Sequence, residues 1–90
     1  MPIFDVASGV LWEQVDVKVM LIDSASSELV TLNPVGSLIW QALAKAPSTT
    51  DVLARVVVAA FPETDIAQAV ADVESFVGEL VELGFVSASA

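Results

Sequence analysis

Apolar and polar positions nearly alternate in the first third of the chain and then recur at helical spacing, and the change falls inside the stretch Glu28 to Trp40, ELVTLNPVGSLIW. From Val10 to Val15 and from Val17 to Ile22, β-branched and aromatic residues dominate, interrupted by Glu13, Gln14, Asp16 and Lys18. This pattern predicts two antiparallel strands with one wet face. The polar cluster Asp23 to Ser27 turns the chain, and Glu28 to Leu32 returns as a third strand at the edge of the sheet. Asn33 suits a helix cap and Pro34 the first helical position, so strand passes into helix within one residue. Leu32 and Leu38 stand near the spacing of a hydrophobic staple, which predicts an apolar contact fixing the angle of that junction.

The first helix should run from Asn33 to about Ala44, with Leu38, Ile39, Ala42 and Leu43 along one side, and end at Pro47. Ser48, three residues before Asp51, reads as the start of a second helix, in which Val52, Leu53, Val56, Val57, Ala60 and Phe61 recur until Pro62. Asp65 and Gln68 repeat the start signal. The third helix carries Ile66, Ala69, Val70, Val73, Phe76, Val77, Leu80 and Leu83 through about five turns until Gly84 stops it. Phe85 and Val86 then pack back as a short strand or wing, and residues 1–9, with Pro2 and Gly9, form either a loose arm or an extra edge strand. Three strands followed by three helices predict an α+β fold, winged helix-turn-helix-like, with a three-stranded antiparallel sheet covered by the helices.

Composition narrows the chemistry. Ninety residues make a single domain, 1–90, with a core at about 10–86, and no fixed-period repeat or low-complexity linker divides it. Three cationic residues (Lys18, Lys45 and Arg55) face twelve acidic ones, for a net charge of -9. Nucleic acid and anionic membrane surfaces both require clustered Lys and Arg, so neither is expected as a partner. The third helix reinforces this, since it holds Asp65, Asp72, Glu74, Glu79 and Glu82 and no cation. Cysteine and histidine are absent, which removes disulfides, thiolate nucleophiles, the usual zinc ligands and the commonest general base. Glycine-rich phosphate loops are missing as well, so neither catalysis nor a cofactor is expected. The longest uncharged apolar run, Val56 to Phe61, is far short of the roughly 20 residues a membrane span needs, and no basic region precedes the apolar residues of MPIFDVASGV. A cytoplasmic location is the resulting expectation. At 56% hydrophobic, so short a chain also suggests that some surface is covered by a partner or by a second copy in a homodimer.

Most of the apolar positions read first as core. Trp40 belongs there, whereas Trp12 suits a buried sheet face or a partner-binding surface equally well. In the third strand alternate side chains face opposite sides, which assigns Val30 and Leu32 to the core and Leu29 and Thr31 to the other face. The apolar stripe of the third helix is wide, and its margin at Val73, Phe76 and Leu80 is where a ligand would be sought, flanked by Asp72 and Glu79 on a solvated face.

An apolar strand pair ending in VMLID, a polar turn, LVTLNPVGSLIW and the helix ADVESFVGELVELGFV together resemble the PqqD-like family, whose members are RiPP recognition elements. The likeness is greatest to the free-standing version found in lasso-peptide biosynthesis and spans roughly Val10 to Val86. Its most specific part is the Leu32, Asn33, Pro34 junction followed by Ile39 and Trp40. The resemblance implies a non-catalytic domain that captures the leader segment of a ribosomally made precursor peptide and presents it to a processing peptidase, and to a cyclase. In such proteins the leader adds as an antiparallel strand beside the third strand, with side chains reaching toward the third helix. On this sequence the implied contact residues are Glu28, Leu29, Val30, Thr31 and Leu32 on the strand, and Asp72, Val73, Phe76, Glu79 and Leu80 on the helix. The sequence departs from its relatives in the turn, where Ser24, Ala25, Ser26, Ser27 and Glu28 replace the glycine and aromatic residue often found there. Apart from that likeness, an acidic interaction or regulatory module of degenerate winged-helix type is the competing expectation.

Overall fold

The computed structural model describes residues 2–23 and 29–89. Its elements run β1 (Ile3–Val6), β2 (Val10–Val15), β3 (Lys18–Asp23), β4 (Leu29–Thr31), α1 (Pro34–Lys45), α2 (Thr50–Ala60), α3 (Ile66–Leu83) and β5 (Val86–Ser89). The expected α+β arrangement is present, with β2, β3 and β4 forming an antiparallel sheet in that order and three helices following. The turn expected at Asp23 to Ser27 lies largely outside the described residues, as does Glu28. The strand β3 begins at Lys18, one residue later than the alternation predicts, because Asp16 and Val17 make the hairpin turn and Val15 pairs with Lys18. Asp16 takes a φ of 56°, a left-handed conformation that Asp tolerates better than most side chains.

Residues near the N-terminus form a strand, and it joins neither edge of the three-stranded sheet. Instead β1 pairs with β5 from Ile3↔Ser89 to Val6↔Val86, a separate ribbon that also touches the α1–α2 connection. There Phe4 and Ser48 exchange backbone hydrogen bonds of 2.8 and 2.9 Å. Ser48 is thereby drawn away from the helix start expected of it. Thr49 caps α2 in its place, its hydroxyl accepting from the Val52 amide at 3.4 Å. Asp65 does stand at the cap of α3, but its side chain makes no capping bond, and Gln68 turns forward to donate to the Asp72 carboxylate at 2.8 Å. Gly84, at φ 85°, ends α3 as expected; its amide and that of Phe85 both return to the Leu80 carbonyl, and the reversal delivers β5 to β1.

The core lies between the sheet and the helices. Val19 and Leu21 from β3, then Leu32, meet Ile39, Trp40 and Leu43 of α1, Leu53 and Val57 of α2, and Ala69, Val73, Val77 and Leu80 of α3. Trp40 is fully buried, whereas Trp12 is only part-covered and packs edge-on against it, the ring centroids 6.3 Å apart.

The β4–α1 junction is tied by a polar side chain. Antiparallel register places Val19 opposite Leu32, and the Leu32 amide donates to the Val19 carbonyl at 2.8 Å. The reciprocal bond is missing from the ladder. The Val19 amide instead donates to the Ser37 hydroxyl at 2.8 Å, and that hydroxyl donates to the Leu32 carbonyl at 3.2 Å. Ser37 is buried, so the inserted hydroxyl satisfies an amide and a carbonyl that water does not reach. Replacing Ser37 with alanine should therefore destabilise the fold by about 1–3 kcal/mol. Urea denaturation measures this, and amide exchange should show Val19 losing protection ahead of the rest of β3; an unchanged midpoint would refute the bridging role.

Candidate peptide-binding site

Among the described residues the strand β4 has a neighbour on one side only. Because the backbone groups of Leu32 point at β3, alternation directs those of Val30 the same way and those of Leu29 and Thr31 outward. Two consecutive outward-facing residues thus offer amides and carbonyls along a free margin, which is the requirement for accepting a further strand. The N-terminal strand does not cover this margin, since it is committed to β5. Side chains follow the predicted alternation: Val30 packs against the core and Leu32 is buried, while Thr31 and Leu29 are exposed, Leu29 at 57%.

Beside the end of β4 a cleft of about 360 Å³ opens between the first turn of α1 and the middle of α3. Its walls are Asn33, Val35, Gly36 and Ile39 on one side and Asp72, Ser75, Phe76 and Glu79 on the other. The cap of α1 shapes the first wall, for Asn33 Oδ1 accepts from the Gly36 amide at 2.7 Å and so turns the chain sharply at the cleft margin. The second wall is one face of α3, where residues 72, 76 and 79 fall at helical spacing. The lining is mixed, with Val35, Ile39 and Phe76 apolar and Asn33, Asp72, Ser75 and Glu79 polar, and with no cation among its residues it suits an apolar side chain flanked by positive or neutral polar groups.

The sequence-derived contact residues divide between two faces. Leu29, Val30, Thr31 and Leu32 lie together on β4 and its continuation, and Asp72, Phe76 and Glu79 line the cleft. Val73 and Leu80 do not. At 0% and 3% exposure they belong with Ala69 and Val77 to the buried stripe of α3, and they support the cleft from below. The cause is helical phase: each residue rotates the side chain by about 100°, so Phe76 sits at the border of a stripe whose centre is 73, 77 and 80. Glu28 lies outside the described residues. Sequence reasoning missed the opposite wall. Its signal was the NPVG tetrapeptide, read as a helix start when the same residues also form a surface.

The chain resembles solved structures in its fold. It is similar to TbiB1 in complex with the TbiA(beta) leader peptide, at 20% sequence identity and a TM-score of 0.86, covering 96% of this chain and 98% of that one. It is also similar to a lasso peptide synthetase B1 complexed with the leader peptide, at 25% identity and a TM-score of 0.80, covering 93% of this chain and 96% of that one. No curated protein matches the sequence. The profile of the family described as coenzyme PQQ synthesis protein D (PqqD) matches residues 18–86, from the start of β3 to the start of β5 and including both walls of the cleft. That span is most of the chain, and the protein belongs to the PqqD family.

Proposed function

We propose that this protein binds the leader segment of a ribosomally made precursor peptide, which adds as an extra strand along the outer margin of β4 and sends side chains into the cleft between α1 and α3. The observation that carries this reading is the adjacency of a strand edge, unpaired among the described residues, to a cleft of mixed polar and apolar lining. Backbone pairing supplies sequence-independent affinity and the cleft supplies selection. Both similar solved structures hold a leader peptide, which supports the same reading. The protein acts as a binder in the cytoplasm and hands its peptide to a processing peptidase and a cyclase. Leu29 and Thr31 make the backbone contacts, Val30 and Leu32 brace the strand from the core side, Phe76 contacts the entering side chain, and Asp72 and Glu79 favour leaders with Lys or Arg nearby. Val73 and Leu80 contribute by positioning Phe76.

A synthetic leader peptide from the precursor encoded beside this protein should bind with micromolar or better affinity and shift the amide resonances of Leu29 to Thr31; shifts confined to other strands would sink the edge-pairing reading. Thr31→Pro removes an outward amide on an edge strand, a placement proline tolerates, and should weaken binding by about tenfold or more while Thr31→Ala has little effect. Equal effects in a calorimetric titration would mean that side chains alone recognise the peptide. Asp72→Asn combined with Glu79→Gln should weaken a Lys- or Arg-bearing leader a few-fold and flatten the salt dependence of its affinity; an unaltered salt profile would remove the acidic rim from the site.

A further inference from the structure

Gly36 occupies the first turn of α1, a place where glycine costs about 0.5–1 kcal/mol relative to alanine, and no positive φ is required there to explain it. The reason lies across the cleft. A Cβ built on Gly36 would stand 2.7 and 2.9 Å from the Cε1 and Cζ atoms of Phe76, so the aromatic ring rests directly on the bare helix backbone. Phe76 is only part-buried, and the atoms in question are the far end of its side chain, so the ring is able to move if pushed. Both residues line the same cleft, and Ile39 beneath them is core. Gly36 is buried and Phe76 packs against the core, so a methyl group at position 36 would act by displacing the outer end of the Phe76 ring and so alter the shape of the cleft.

We propose that Gly36 is a specificity-determining residue of the peptide site: by letting the Phe76 ring lie against α1, it sets the width of the cleft so that a bulky apolar side chain of the bound peptide is admitted. The inference rests on the peptide-binding reading above and adds to it the residue that fixes the size of the accepted side chain. Asn33, whose Oδ1 lies 3.2 Å from the same built Cβ, holds the opposite side of the glycine and keeps the helix turn from retreating.

The test uses the whole chain and a set of synthetic leader peptides in which each position in turn carries alanine, leucine or phenylalanine, with affinity measured by calorimetry and folding by thermal melts. The wild-type protein should prefer leucine or phenylalanine over alanine at one position. In Gly36→Ala that preference should fall by about tenfold, with a melting temperature equal to or above that of the wild type. In the double variant Gly36→Ala with Phe76→Leu, the shorter side chain makes room for the methyl group and the preference should return. Three outcomes overturn the inference alone: unchanged selectivity in Gly36→Ala, an equal loss for all peptides, or loss of the folded state. Failure of the wild-type protein to bind any member of the set would overturn the peptide-binding reading, and this inference with it.

Discussion

One hydroxyl sets the geometry on which the rest of this molecule depends. At the end of the β3–β4 ladder, where a backbone amide and carbonyl would ordinarily meet, Ser37 stands between Val19 and Leu32 and bonds to both. The hydroxyl replaces one bond of that rung and ties both strands to the first turn of α1. Strand edge, helix start and cleft wall are consequently parts of one rigid corner. Displacing any of the three would strand a buried amide, which costs more than the bond itself contributes.

That corner was partly legible in the sequence. Asn33 and Pro34 mark the helix start because their chemistry is local: a short polar side chain reaches an amide three residues on, and a fixed φ suits the first turn. Alternation in β4 was legible for the same reason, since strand period does not depend on what lies across the ladder. The role of Ser37 was not. Its partners lie five and eighteen residues away, and a serine inside a helix reads as an ordinary surface residue until the sheet is folded beneath it. Ser48 failed for a similar reason, because Phe4, far off in sequence, claims its backbone and passes the capping task to Thr49. The third helix was legible in extent and in its apolar stripe, where Val73 and Leu80 read first as core and are buried, but a wide stripe does not reveal which of its borders meets solvent.

Charge and shape divide the labour of recognition. Arg55 is paired with Asp51 on α2, so the cation nearest in sequence to α3 is already engaged. Asp72 and Glu79 of α3 line the cleft without a basic neighbour in its lining. On the proposed reading, long-range attraction would select the sign of an approaching segment, and contact with Val35 and Phe76 its bulk. Affinity from the strand margin is indifferent to both, which allows one scaffold to be retuned by a few side chains on its walls.

The ribbon of β1 and β5 has a mechanical consequence. Its outermost rung joins Ile3 to Ser89, so a pull applied to both tails acts on one rung at a time, as in opening a zipper, and peels the ribbon toward Val6 and Val86. Tension would be spent there, in a sheet that shares no strand with β4. A load applied across both tails would thus part the ribbon, and with it the Phe4–Ser48 bonds, before reaching the corner at Ser37.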